Sequence, residues 1–190
     1  MPRVVSLFLP MWPTDRFRRN SGDAAPPPET PLVLIGRDGR RRVVLAADAA
    51  AHAAGLRIGM PASKAQALVP GLIVHDAEPE ADLDALERLA LWALRRYAPI
   101  VAADPPDGLV MDTTGADHLH GGEAAMLTEM VARLGASHIA ARAAVADTWG
   151  AAHALARFGT RQILVVPSGE TAQAVLPLPV AALSLGRRHG

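Results

Sequence analysis

Apolar positions between Glu78 and Tyr97 recur at three- and four-residue steps. Leu83, Leu86, Ala90, Leu94 and Tyr97 draw one stripe along a long helix, which Pro99 ends. The stripe predicts that Leu83, Leu86, Ala90 and Leu94 pack on a sheet, while Asp82, Arg88 and Arg95 face solvent or nucleic acid. Elsewhere the apolar positions come in short unbroken runs, the mark of buried strands. Residues 3–9 are one such run, stopped by Pro10 and Pro13. A helical turn is predicted over 14–19, and a loop over 20–31 on its Gly, Ser and Pro content. The runs 32–35 and 43–46 flank Gly36-Arg37-Asp38-Gly39, a hairpin signal. Residues 47–54 read as an Ala-rich helix stopped by Gly55. Pro61 opens another helix that ends near Pro70-Gly71, and 72–75 form a further strand. Past the long helix, 100–103 and 109–113 flank Asp104-Pro105-Pro106-Asp107-Gly108 and predict an antiparallel hairpin. A helix over 123–134 stopped by Gly135, a strand over 139–146, a helix over 148–157, a strand over 163–166 and a short helix from Ser168 follow.

From residue 72 onward the order is strand, helix, hairpin, helix, strand, helix. With the first strand added, this order predicts an α+β fold. Its frame is a ferredoxin-like sheet, mixed but mainly antiparallel, with helices on one face. Residues from about 20 to 75 form an insertion between the first strand and the long helix.

Charge and composition narrow the function. The chain has 190 residues, half of them hydrophobic, enough to bury a core. Lys+Arg and Asp+Glu both total 19, which excludes a polycation acting by bulk charge but not a local basic stripe. The lack of Cys removes disulfide scaffolds, thiolate metal sites and cysteine nucleophiles. The first ten residues are too briefly apolar for a signal peptide, and no run approaches the ~20 residues that span a bilayer. A cytoplasmic protein without membrane contact is expected.

Asp104, Asp107 and Asp112 crowd the hairpin and Asp117 follows. They are either turn formers, a role that suits Asp, or hard-cation ligands. His118 and His120 would share a face if extended, but glycines bracket them and no third ligand is placed. Asp147-Thr148 reads as a helix cap. Arg40, Arg41 and Arg42 sit just past a hairpin turn, where they either touch phosphates or stay solvated. The chain has no Walker lysine loop, no GxGxxG and no GxSxG. The residues alone lead to an α/β domain with a candidate acidic site.

A resemblance goes further. Val4-Val-Ser-Leu-Phe-Leu9, Val43-Val-Leu-Ala-Ala47, Gly55-Leu-Arg-Ile-Gly-Met-Pro61, Ala67-Leu-Val-Pro70 and Tyr97-Ala-Pro99 stand in the order found in Y-family translesion DNA polymerases. Gly108-Leu-Val-Met-Asp-Thr-Thr-Gly115, His118-Leu-His-Gly-Gly-Glu123 and Ala144-Val-Ala-Asp-Thr148 continue the series. The resemblance implies a palm over 1–20 and 72–175 and a small fingers lobe over 21–71. Residues 176–190 would begin a truncated thumb, Leu176-Pro-Leu-Pro-Val-Ala-Ala-Leu183 matching its start.

The family's three metal-binding carboxylates would fall on Pro10, Asp107 and Gly108, so only one remains. The triphosphate clamp would fall on Ala49, His52 and His153, none of them the family's Tyr, Arg or Lys. Within the family this pattern resembles the ImuB-type, catalytically degenerate members. It implies a noncatalytic adaptor in damage-induced translesion synthesis, nucleoid-associated, without a cofactor, with Mg²⁺ required only if the chain proves active. Its partners would be damaged DNA, an error-prone C-family polymerase, a RecA-related accessory protein and the sliding clamp, reached through C-terminal regions outside this chain. Weak, salt-sensitive DNA contact would fall to Arg40, Arg41, Arg42 and Arg57.

Two alternatives stand beside it. One is an active polymerase that recruits Asp104, Asp107 and Asp112. The other is an unrelated small nucleotide-binding domain. On the leading reading, Pro10, Asp107 and Gly108 lie side by side at the centre of the sheet, and position 108, if extended, tolerates a side chain.

Overall fold

The computed structural model describes residues 2–179 and Ala182, apart from the side chain of Asp117. Most of the thumb-like segment expected over 176–190 lies outside the described residues. The chain forms two compact units, one of residues 1–10 and 84–190, the other of residues 11–83.

The first unit is built on a five-stranded sheet. It contains β1 (Val4–Phe8), β5 (Ile100–Asp104), β6 (Gly108–Asp112), β7 (Arg142–Ala146) and β8 (Ile163–Val165), in spatial order β5-β6-β1-β7-β8. β1 pairs antiparallel with both β6 and β7, β5 and β6 make the expected hairpin, and β7 and β8 run parallel. The four strands β7-β1-β6-β5 have the ferredoxin-like order, and β8 extends that sheet at one edge. A parallel pair needs a crossover, here α6 (Trp149–Phe158). Thr148 caps α6 by accepting from the Ala151 amide.

Helices therefore cover both faces of the sheet, not one. Ala144 and Ala146 pack against Ala152, Leu155 and Ala156 of α6, with α7 (Thr171–Val175) alongside. Val5, Leu7, Ala143 and Val145, which point to the opposite face, are equally buried. α5 (Glu123–Ala136) supplies buried Met126, Leu127, Met130, Val131 and Leu134, and continues through Gly135.

The second unit holds α1 (Trp12–Ser21), β2 (Leu32–Asp38), β3 (Arg41–Ala47), α2 (Ala49–Ala53), α3 (Ala62–Leu68) and β4 (Ile73–Asp76), with sheet order β3-β2-β4. This compact unit, residues 11–83, runs past 21–71 at both ends. Pro13 does not stop the chain: it sits in the first turn of α1, where its missing N–H has no intrahelical acceptor. β4 joins β2 in parallel, Leu32 opposite Ile73, and so belongs to the insertion.

The unit boundary falls inside α4 (Pro79–Leu94). Its buried positions are Asp82, Leu86, Ala90 and Ala93, continued by Tyr97, so the stripe is rotated from the expected one. Leu83 and Leu94 lie at its exposed margins. Asp82 faces inward because charges meet it there. Its carboxylate accepts from Arg16 Nε, Arg16 also binds Glu78 at 2.7 Å, and the Trp12 indole donates to the Asp82 carbonyl at 2.9 Å. No helix of the described residues is long and apolar enough to cross a membrane.

Candidate functional site

β1 runs through the middle of the five-stranded sheet, and its end meets the turn between β5 and β6. Phe8 stands opposite Gly108, and Gly108 opposite Asp104. The Leu9 amide donates to the Asp107 carbonyl at 2.8 Å. Pro10 follows directly, so Pro10, Asp107 and Gly108 are neighbours at one end of the sheet. Pro and Gly bring no side-chain oxygen there.

α6 brings two further side chains to this end, one turn apart. Arg157 Nη2 donates to Asp107 Oδ1 at 2.8 Å and lies 3.8 Å from Asp104 Oδ2. Its guanidinium carbon stands 4.8 Å from the centre of the Phe8 ring, a cation–π placement. His153 Nε2 is 3.7 Å from Asp104 Oδ2, and its ring lies 5.1 Å from that of Trp149. Asp104 Oδ2 and Arg157 Nη1 are buried without hydrogen-bond partners.

Burial pushes the Asp107 carboxyl above the usual carboxylate range, and Arg157 pulls against it. Burial and then Arg157 push the His153 imidazole below its ordinary value, while Asp104 and Asp107 pull it back. One fixed guanidinium faces two carboxylates beside an imidazole, so the cluster is neutralised in part, with Asp107 matched directly.

A divalent metal fits this cluster poorly. Magnesium takes near-octahedral oxygen ligands and usually needs one or two free carboxylates plus substrate phosphates. Here the cation position against Asp107 is held by a side chain of the protein itself. Among the described residues no three His, Asp or Glu side chains are grouped to hold a metal ion. Asp112 does not join the pair. It lies at the far end of β6, four residues from Gly108, where it accepts from the Thr114 amide at 3.0 Å and is held below the usual range by Thr114.

Gly108 is tightly enclosed. A Cβ there would meet the Leu7 carbonyl at 2.9 Å, Arg157 Nη2 at 3.0 Å and the Asp104 carbonyl at 3.3 Å. The expectation that this position tolerates a side chain fails, because β1, β5 and α6 all close on it.

The remaining expected residues lie elsewhere. His118 and His120 stand on a 3₁₀ turn, Asp117–His120, rather than a strand. His120 Nδ1 faces Glu129 at 3.7 Å. Asp147 is not merely a cap. It accepts from Arg3 at 2.8 Å, the Gly169 amide at 2.8 Å and Thr171 at 2.9 Å, led by Gly169, and its pKa falls to about 2.

In the second unit Ala49 is exposed and His52 half-buried on α2. Arg40 and Arg41 are exposed, Arg42 binds Asp76 at 2.6 Å, and Arg57 donates to the carbonyls of His52 and Leu56. Arg41, Arg42, Ser63, Gln66, His75 and Asp76 line a groove of about 770 Å³.

Sequence reasoning missed Arg157, Arg3 and Asp48. Asp48 was legible as a cap before an Ala-rich helix. It accepts from the Ala51 amide at 2.8 Å and binds Arg18 at 2.6 Å. Arg157 left one signal, its four-residue spacing from His153 on a predicted helix.

Comparison with known proteins gives a consistent picture. The profile of the impB/mucB/samB family (IMS) matches residues 26–157. Protein ImuB of Caulobacter vibrioides is 54% identical over 132 residues, which is 70% of this chain and 28% of that protein. DNA polymerase IV of Dehalococcoides mccartyi is 29% identical over 157 residues, covering 82% of this chain and 40% of the polymerase. The chain therefore spans well under half the length of these relatives. Among solved structures, DinB from Sulfolobus solfataricus superposes with a TM-score of 0.70 at 18% identity, covering 92% of this chain and 50% of that one. A ternary complex of Dbh reaches 0.72 at 18% identity, covering 97% and 53%. The α+β fold is that of the Y-family palm and fingers.

Proposed function

Since the chain belongs to the impB/mucB/samB family of Y-family polymerase domains, we propose that it serves as a noncatalytic, polymerase-like adaptor in DNA-damage tolerance. The observation that carries this reading is Arg157 Nη2 on Asp107 Oδ1 at 2.8 Å, beside a proline and a glycine that offer no ligand. A two-metal phosphoryl transfer needs carboxylates that hold cations between them and the triphosphate. In this cluster the one family carboxylate left is already matched by a guanidinium. The similarity to ImuB supports a place in translesion synthesis; the partners of the proposed adaptor would be an error-prone C-family polymerase, a RecA-related protein and the sliding clamp. DNA would be held weakly, through Arg40, Arg41 and the salt-sensitive edge of Arg42 and Arg57, in the nonspecific range of about 10⁻⁴ to 10⁻⁶ M.

The test is single-nucleotide primer extension with Mg²⁺ or Mn²⁺, using the complete gene product. No incorporation above background is expected. Incorporation that Asp107→Ala abolishes would overturn the adaptor reading in favour of an active polymerase.

A further inference from the structure

On the first unit, Arg88, Leu91, Trp92, Arg95 and Arg96 line a groove of about 690 Å³, closed on its other side by His120 and Glu129. Their spacing of three, four and seven residues places Arg88, Leu91 and Arg95 on one side of α4 and its trailing turn. At 1.5 Å per residue they span roughly 10 Å, two helical turns of a ligand. Leu91 is 52% exposed at the centre of this row. Trp92 stands edge-on to Tyr97 at 5.3 Å, and Tyr97 packs on His120, also at 5.3 Å, so the two aromatic lining residues are tied together through a buried ring. Tyr97 is 2% exposed and its hydroxyl has no hydrogen-bond partner.

The charge is unbalanced. Glu129 is the one carboxylate among the lining residues, and Arg133 binds it at 2.6 Å. Among the described residues, no carboxylate lies within 4.0 Å of Arg88, Arg95 or Arg96. Arg95 and Arg96 suit the end of a helix, where cations meet the carbonyl dipole, but Arg88 sits well inside α4 and has no such reason. Arginine and tryptophan are residue types enriched at the hot spots of protein interfaces, and here three guanidiniums stand around a tryptophan and an exposed apolar side chain.

We propose that this groove docks an acidic, amphipathic peptide segment of a partner protein, its carboxylates on Arg88, Arg95 and Arg96 and an apolar side chain over Leu91 and Trp92. The half-exposed leucine at the centre favours a peptide over a nucleic-acid backbone, which would gain nothing from it. The inference is independent of the adaptor reading, since an active polymerase could dock a partner by the same groove.

The test selects from a displayed library of random 12-residue peptides on the immobilised 190-residue chain, with the Arg88→Glu, Arg95→Glu, Arg96→Glu triple variant as counter-target. Enriched peptides should carry net negative charge and at least one aliphatic or aromatic residue. Resynthesised, they should bind the triple variant at least tenfold more weakly, with circular dichroism showing both proteins equally folded. Charge-inverted copies of the same peptides should prefer the variant. Three results would each overturn the proposal: peptides without acidic enrichment, peptides that bind both proteins alike, or no peptide that discriminates. Labelled oligo-dT run in parallel distinguishes the other anion. If the triple substitution abolishes oligo-dT binding while leaving the selected peptides unaffected, the groove is a nucleic-acid track and the proposal fails.

Discussion

Replacing Arg157 by Met removes the guanidinium but keeps an apolar stem near the Phe8 ring. The side chain is 13% exposed and Asp107 about a third exposed, at 32%. Breaking a fully buried pair costs about 3–5 kcal/mol, and an exposed one about 0–1. The partial exposure of Asp107 places the expected loss between them, at about 2–3 kcal/mol at pH 7. That figure includes about 0.5–1 kcal/mol from the lost cation–π contact. It has a pH signature. In the variant the Asp107 carboxylate loses its counter-charge while burial still disfavours its ionised form, and protonation relieves it as pH falls. The difference between variant and wild type should therefore shrink to under ~1 kcal/mol as pH falls.

The same substitution frees two neighbouring carboxylates. With ~1 mM Mn²⁺ and a site of ~0.1 mM affinity, the variant should gain about 1.4 kcal/mol, while the wild type should not respond. Urea denaturation followed by circular dichroism, at both pH values and with and without Mn²⁺, reads all of this. A loss under ~0.5 kcal/mol at pH 7, a loss independent of pH, or equal Mn²⁺ stabilisation of the wild type would show that Arg157 does not act as the internal cation.

Gly108→Ala should destabilise by about 1–3 kcal/mol in the same denaturation assay, because its Cβ would press on the Leu7 carbonyl and on Arg157; unchanged stability would mean that β1 or α6 yields freely. Asp147 has a folded pKa of about 2 against an ordinary 3.8, so its contribution is complete above pH ~4 and lost as pH falls towards 2. Asp147→Asn should flatten the acid limb of the stability–pH curve, and an unaltered limb would remove this residue from the account. Leu86 is fully buried, so Leu86→Ala should cost about 2–5 kcal/mol, and a smaller loss in urea denaturation would contradict its place in the core.

Much of the first unit was legible in the chain, and for physical reasons. An apolar run broken only by Ser6 and ended by Pro10 has few choices but a buried strand, and Asp-Pro-Pro-Asp-Gly has few choices but a turn. Together they place β1, β5 and β6, and with them the neighbourhood of Pro10, Asp107 and Gly108. The sheet that β4 joins was not assignable, because four residues with two apolar positions carry no mark of their partner. Its pairing with β2 depends on where α2 and α3 bring the chain back. Asp82 was assigned to solvent because periodicity counts polarity and not partners. Arg16 precedes it by 66 residues, and an ion pair across that distance leaves no periodic trace. Only the spacing of Arg157 from His153 was legible; its pairing with Asp107, 50 residues away, left no periodic trace for the same reason.

That last pair changes the meaning of the substitutions around it. On the proposed reading Pro10 and Gly108 stand where the resemblance would put two further ligands, which leaves Asp107 a partly buried carboxylate, an expensive state unless a cation meets it. Arg157 meets it, and the absence of a Cβ at Gly108 leaves the room, since that Cβ would stand 3.0 Å from Nη2. Glycine and arginine are therefore one arrangement: the first admits the second, and the second neutralises what the first left behind. Gly108→Glu by itself would force a new carboxylate against the Leu7 carbonyl and set it beside the guanidinium, which would bind it as it binds Asp107. Pro10→Asp added to it supplies a third oxygen donor but leaves the internal cation in place. On the same proposed reading, Ala49, His52 and His153 would supply no fixed positive charge for a triphosphate, on which electrostatic stabilisation of the transition state depends. On the adaptor reading, metal binding at this end of the sheet would require the loss of Arg157 first, before any added carboxylate could find a metal to hold.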